Sequence, residues 1–388
     1  MKNDIAWQVA GRVIEKIEQA GFEAVFVGGA VRDLFIGKMN NDVDVATNAL
    51  PLEVKAIFSN TIDVGIEHGT VLVLDEGEPI EVTTYRTDGE YTDHRRPNEV
   101  KFVRSLAEDL ARRDFTMNAM ALTRQGETID LYGGKADIKS KLIRAVGNPL
   151  QRFEEDALRM MRAVRFSAQL GFSIETQTKQ AAKQLAEQIQ FVAKERIHAE
   201  LDKMWMSQSI SQGMTMLNET GLVQYLLGSF HPHQWHNFQA NNPFVGWAYL
   251  NLISNDDKLL SYYKCSNKEK AFAKQVKQAY NKLQVGWDVL DYFQYDIEVL
   301  QTAYDFTCWQ GDKLDFDKKQ IAEKKSALPI ANVHQLVVNG NHFMRWTEKK
   351  RGPWIKEVLD AALLAVLTGE VVNEKERLKE WFHDYDKR

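Results

Sequence analysis

At 388 residues the chain is too long for one ordinary domain, and two to four are expected. Its 44% hydrophobic and 27% charged content is that of a soluble globular protein. With 49 basic and 54 acidic residues the net charge is −5, which excludes a non-specific nucleic-acid coat protein but leaves room for a local basic face. Cys265 and Cys308 form neither a disulfide framework nor a metal-spacing motif, which fits a reducing cytoplasm. The first residues carry charges throughout, without the apolar core of a signal peptide, and no apolar run is long enough to span a bilayer.

Residues 5–20 place Val9, Val13, Ile14 and Ile17 at helical spacing and stop before Gly21, predicting a helix that packs on a following sheet. Residues 25–27 read as a short buried strand. Gly28 and Gly29 break it and let the backbone approach a ligand closely. Residues 30–36 read as a short helix capped by Gly37. A second strand is predicted over residues 42–46. Alternate side chains of a strand share a face, so Asp42 and Asp44 point one way while Val43 and Val45 face the core.

Two carboxylates side by side repel, and a pair of Mg²⁺ ions is a good reason for them: Mg²⁺ takes carboxylate oxygens and leaves room for phosphate. Free backbone N–H groups at the Gly28–Gly29 turn, with Arg32 in the first helical turn, suit a triphosphate. Together these features suggest nucleotidyl transfer. A bare Asp-x-Asp is otherwise two solvated aspartates, and the Gly-Gly-x-x-Arg-Asp lead-in is what shifts the reading.

Residues 52–58 predict a helix after Pro51, and residues 62–66, 70–74 and 79–85 predict strands. Glu81 faces away from Ile80 and Val82; it is either a further metal carboxylate on a neighbouring strand or a surface glutamate. Residues 86–102 are highly charged and predict a mobile loop. Residues 106–121 predict a helix; Arg112 and Arg113 are adjacent and cannot share a helical face, so one reaches the site and the other is structural. Asp130 to Gly134 close the sheet domain, and residues 141–149 read as a connector.

Beyond it strand-like alternation largely disappears, and residues 151–388 are expected to be almost wholly helical. One helix is predicted across residues 153–166, with Asp156 and Arg159 as i,i+3 neighbours and Arg162 and Arg165 continuing the three-residue step. His231, His233 and His236 surround Pro232 without a carboxylate at ligand spacing and read as a loop. The tryptophans of this half read as core filling.

Gly28, Gly29, Arg32, Asp33, Asp42, Asp44 and Thr47 resemble, without departure, the signature of the nucleotidyltransferase superfamily of DNA polymerase β. The chain is most similar to class II tRNA nucleotidyltransferases (CCA-adding enzymes) and bacterial poly(A) polymerases. Arg86, Asp88, Tyr91, Asp93, Arg95, Arg96 and Pro97 match the loop motif of the CCA-adding enzymes. Arg113, with Asp114, Thr116 and Asn118, matches the motif near triphosphate and sugar. Glu155, Asp156, Arg159 and Arg162, with Arg165 beyond, match the base-reading motif. Residues 194–200 match a helix that stabilises it, and residues 337–340 and 351–355 resemble tail signatures that approach RNA backbone.

The resemblance implies a multidomain protein: an N-terminal α/β head with a mixed sheet (residues 1–138), then an all-α neck for base recognition (139–205), body (206–300) and tail (301–388). It implies two Mg²⁺ ions on Asp42 and Asp44, CTP and ATP as substrates, and tRNA held at its 3′ end and elbow. The expected activity is addition of C, C and A without a nucleic-acid template, by a monomer or homodimer with no membrane association. There is a physical reason for an Asp/Arg reader. Cytosine and adenine each present an amine donor beside a ring-nitrogen acceptor, whereas uracil and guanine present the reverse and leave the protein groups unpaired. The rivals are a poly(A) polymerase, an enzyme adding only CC or only A, and a non-catalytic RNA-binding module.

Overall fold

The computed structural model describes residues 5–88, 100–347 and 349–387. The chain divides into two compact units: Met1–Pro243 with Ser261–Lys264, and Phe244–Leu260 with Cys265–Arg388.

The first unit begins with helix α1 (Ile5–Gln19), whose Val9, Val13, Ile14 and Ile17 are fully buried, as the spacing requires. Trp7 meets Phe26 of strand β1 (Ala24–Val27) with ring centroids 5.0 Å apart. Helix α2 (Gly29–Ile36) follows, ended by Gly37 in the left-handed conformation. Strand β2 (Asp44–Thr47) pairs antiparallel with β1. Helix α3 (Pro51–Ile57) leads to β3 (Thr61–Gly65), β4 (Thr70–Asp75) and β5 (Glu78–Thr84). The short β8 (Ala121–Leu122) and β9 (Thr128–Ile129), which follow the hairpin of β6 (Arg86–Asp88) and β7 (Val100–Phe102), complete a seven-stranded sheet of order β3-β4-β5-β2-β1-β8-β9. Only β2 and β5 run parallel, so the sheet is mixed, as expected.

Four local expectations are corrected. The aspartate strand starts at Asp44, not at residue 42. Asp42 lies in the approach to it, where its N–H donates to Asn40 Oδ1 at 2.9 Å. The ends of the expected loop are ordered as β6 and β7, which pair antiparallel from Arg86↔Phe102 to Asp88↔Val100. Of the loop residues, Tyr91, Asp93, Arg95, Arg96 and Pro97 lie outside the described residues.

The helix expected over residues 106–121 stops early, as α4 (Leu106–Ala111). Arg112 and Arg113 both fold back onto the buried Asp109, Phe115 bridges to Ala145, and the Thr116 N–H donates to Arg144 O. Tertiary pairing thus overrides the helical pattern. The helix expected over residues 153–166 is two helices, α6 (Pro149–Glu155) and α7 (Leu158–Leu170), which follow α5 (Gly134–Lys139). Asp156 between them has extended backbone (φ −148°, ψ 100°) and accepts a hydrogen bond from the Leu158 N–H at 3.1 Å, which ends one helix and caps the next.

Helices α8 (Thr176–Leu185), α9 (Lys194–Trp205) and α10 (Ile210–Glu219) continue the first unit. Trp205 and Trp235 stack face to face at 4.9 Å, both fully buried; Trp205 and Trp235 are core, as read from the sequence. His231 and His233 flank and enter a 3₁₀ turn, Pro232–Trp235.

The second unit is helical throughout its described regular structure, with long helices Asn267–Leu283, Ile297–Trp309, Trp354–Leu367 and Lys375–Tyr385. Phe343, Ala362, Val366, Leu378 and Phe382 form one of its cores.

Candidate active site

The site is built from four places in the first unit: the β1–α2 turn, the paired strands β2 and β5, the segment after α4, and the α6–α7 junction. They enclose a cavity of about 1010 Å³. Gly28, Gly29, Arg32, Asp42, Asp44, Glu81, Arg86, Arg113, Asp156, Arg159, Arg162 and Arg165 all line it.

Gly28 is the closest approach. Its φ is +77°, and a Cβ there would sit 3.1 Å from Asp44 Oδ2. The backbone conformation therefore demands glycine, and a side chain there would in addition crowd the Asp44 carboxylate. Register places Glu81 beside Asp44: Val45 pairs with Val82 across the parallel β2–β5 ladder, and the preceding residues fall on the opposite, cavity face. Asp44 has its carboxyl pushed up to about 6 by burial first and then by the negative charges of Asp42 and Glu81, with Arg113 opposing. Among the described residues no salt bridge engages Asp42, Asp44 or Glu81. Asp42, Asp44 and Glu81 bring hard oxygen donors to one cavity with one nearby guanidinium, and donors of this kind suit a divalent cation, but in this structure the three do not converge into a single three-carboxylate site.

The arginines, by contrast, are held. Arg32 forks Asp33 Oδ1 through Nε and Nη2 at 2.9 and 2.7 Å, and its Nη1 donates to Asn118 Oδ1 at 2.9 Å. Asn118 Nδ2 donates to Asp114 Oδ1 at 2.9 Å, and Asp114 Oδ2 accepts from Arg162 at 2.6 Å. Burial alone would raise Asp114, but the charge of Arg162, with hydrogen bonds from Asn118 and Arg162, holds it down at about 2. Arg165 pairs with the buried Glu200 of α9. Phe166 gathers three guanidiniums over its ring, those of Arg165, Arg32 and Arg162 at 3.8, 5.0 and 5.5 Å from the centroid. One network therefore joins α2, the segment after α4, α7 and α9.

Arg112 and Arg113 both line the cavity and share Asp109, at 2.8 and 3.0 Å, so the division into one site arginine and one structural arginine does not hold. At the α6–α7 junction Asp156 pairs with Arg196 of α9 at 2.8 Å. Arg159 Nη1 donates to Glu155 at 2.7 Å and to Arg152 O at 3.0 Å, and its Nη2 donates to Arg112 O at 2.9 Å. Sequence reasoning gave residues 194–200 a supporting role but missed that Arg196 lines the cavity. It also missed Phe166, which carried no signal beyond helical spacing, and it did not pair Glu200, within that segment, with Arg165.

A mixed sheet that presents a carboxylate cluster beside a glycine turn and an arginine-lined wall defines a nucleotidyltransferase. Residues 24–144 match the poly A polymerase head domain, 171–235 the probable RNA and SrmB-binding site of polymerase A, and 238–382 a putative second domain of tRNA nucleotidyltransferase. The CCA-adding enzyme of Bacillus cereus (strain G9842) is 40% identical over 388 residues, covering 96% of this chain and 97% of that protein. The Bacillus stearothermophilus CCA-adding enzyme, solved in complex with CTP, superposes with a TM-score of 0.87 at 36% identity, over 100% of this chain and 98% of that one. The Thermotoga maritima CCA-adding enzyme complexed with tRNA shares the fold, with a TM-score of 0.66 at 21% identity, over 97% of this chain and 95% of that one. The chain belongs to the family of CCA-adding enzymes.

Proposed function

We propose that this protein adds C, C and A to the 3′ end of tRNA from CTP and ATP, releasing pyrophosphate, with no nucleic-acid template. The observation that carries the reading is that Asp156 and Arg159 line the same cavity as Asp42 and Asp44. A base reader and a carboxylate cluster in one cavity allow a nucleotide to be chosen and joined without moving between sites.

Asp42 and Asp44, with Glu81 across the ladder, would hold the divalent cations. When bound, these supply the Lewis acidity that activates the 3′-hydroxyl and neutralises the leaving pyrophosphate. The chain's own residues do the positioning. The α2 N-terminus and Gly29 offer N–H groups to phosphate, and Arg32, already aimed by Asp33 and Asn118, adds a planar fork. Arg113 stands 3.8 Å from the Cβ position of Gly28, between turn and carboxylates, where triphosphate and sugar would lie. At the base, Asp156 accepts from the exocyclic amine and Arg159 donates to the ring nitrogen. Uracil and guanine would set a carbonyl against the carboxylate and an N–H against the guanidinium.

The test is to incubate the protein with tRNA ending at the discriminator base, CTP, ATP and Mg²⁺, and to sequence the 3′ ends. Ends reading CCA are expected. Long A runs would make it a poly(A) polymerase, ends stopping at CC or gaining only A a partial enzyme, and unextended tRNA a non-catalytic RNA binder.

A further inference from the structure

We propose that Arg196 is a specificity-determining positioning residue: it sets which oxygen of Asp156 faces the incoming base and keeps that carboxylate from pairing with Arg159. The proposal rests on the base-reading role given above to Asp156 and Arg159.

The two readers carry opposite charge and stand three residues apart across the α6–α7 break. A carboxylate and a guanidinium so placed tend to satisfy each other as a fork, and a self-paired couple has no edge to offer a base. Here each has its own partner. Arg196 Nη1 and Nη2 reach Asp156 Oδ1 and Oδ2 at 3.2 and 2.8 Å. Arg159 is held by Glu155 and by two backbone carbonyls, of Arg152 and Arg112. The Leu158 N–H also donates to Asp156 Oδ1, at 3.1 Å.

Each carboxylate oxygen has two lone-pair sites. Oδ1 uses both, one for Leu158 and one for Arg196, whereas Oδ2 uses one. The open site for an exocyclic amine is therefore on Oδ2, and the bidentate grip fixes the plane in which it points. That grip comes from α9, 40 residues along the chain, so α9 orients a group that α6 and α7 only carry. A lysine at this position is a point charge without the planar fork and cannot fix that plane.

The experiment measures single-nucleotide incorporation of CTP and of UTP onto tRNA ending at the discriminator base. It compares the parent with Arg196→Ala, Arg196→Lys, Asp156→Ala and the Arg196→Ala/Asp156→Ala double variant. The expected result for Arg196→Ala is a fall of about tenfold or more in the CTP-to-UTP ratio of kcat/KM, expressed mainly as a higher KM for CTP. Arg196→Lys recovers only a minor part. The double variant shows the same ratio as Asp156→Ala alone, because no carboxylate remains to be oriented. An unchanged ratio in either Arg196 variant, or equal loss for both nucleotides in a variant with parental circular dichroism, overturns the proposal. If Arg196→Ala does not fold, the lysine variant decides it. If Asp156→Ala itself leaves the ratio unchanged, the base-reading assignment fails, and this inference with it.

Discussion

Asp44→Asn should stabilise the cation-free protein, because the buried carboxylate is held against its own electrostatics. In the unfolded chain this group ionises near 3.8; in the folded chain it ionises at about 6. Between those values the folded state binds the extra proton, so stability falls as pH rises through the window, and above it the full cost is present. At about 1.4 kcal/mol per pH unit, that cost is on the order of 3 kcal/mol. Asparagine has the same shape and no charge, so it removes the cost where Asp44 would be ionised and little where it would be protonated.

The assay is thermal unfolding in EDTA near pH 4.5 and pH 7.5. The variant should melt about 6–12 °C above the parent at the higher pH, taking about 2–4 °C per kcal/mol for a unit of this size. At the lower pH the difference should fall to about a third of that, since only part of the cost is present there. Adding Mg²⁺ should raise the parent and not the variant, since a cation binds the folded carboxylates and linkage stabilises only the species that binds it. A variant no more stable than the parent at the higher pH in EDTA, or one with equal gains at both pH values, would refute the argument that burial, together with the charges of Asp42 and Glu81, disfavours ionised Asp44.

Asp42→Ala and Asp44→Ala should each lower nucleotide incorporation at least about 100-fold, since several kcal/mol of charge stabilisation is lost, while tRNA binding in a filter assay stays near parental. Gly28→Ala should cost about 1–3 kcal/mol for its positive-φ, extended backbone (φ +77°, ψ −143°) and raise the KM for nucleotide, because the methyl would press on Asp44 Oδ2 from 3.1 Å; parental kinetics would remove the close-approach argument. In Asp156→Ala and Arg159→Ala, loss of a charged hydrogen bond worth about 1.5–3 kcal/mol should erode preference for CTP over UTP by about 10–100-fold. Replacing residues 89–99 by an Asn-Gly turn, which joins the paired ends Asp88 and Val100, should spare both C additions and impair the final A; 3′-end sequencing that shows equal loss of C and A would assign the loop to general binding or folding instead.

The parts of the site that local chemistry alone dictates were legible in the sequence. Glycine pairs break strands, so the β1–α2 turn could be placed, and alternation put Val43 and Val45 inside, where both are buried. The parts set by distant partners were not legible. Phe153, Met160, Met161 and Val164 keep a helical period straight through Asp156, and all four are buried, so the pattern itself is genuine. What breaks the helix is the Asp156 side chain capping Leu158 while Arg196 holds it from another helix. The early end of α4 has the same origin, since the shared grip on Asp109 and the Phe115–Ala145 bridge are tertiary events. The roles of Asn118 and Phe166 as joints depend on which elements meet, which no window of sequence contains.

The charge distribution explains how a chain of net −5 can host polyanions. The cavity wall carries ten lysines and arginines against six aspartates and glutamates, a local net of +4. The six acids are not equivalent. Asp33, Asp114 and Asp156 each hold an arginine in place, Arg32, Arg162 and Arg196 respectively. Asp42, Asp44 and Glu81 do no such service and repel one another instead. The cavity therefore carries two kinds of group: guanidiniums preset by acidic partners, and carboxylates that no salt bridge engages among the described residues, with Arg113 close to both. On the proposed reading, a nucleotide triphosphate brought in with its divalent cations would match both at once, its phosphates meeting the arginines and its cations the carboxylates. Free phosphate or free cation would satisfy only one. Electrostatic complementarity over the whole cavity would thus favour the complete cation–nucleotide complex, before base reading begins.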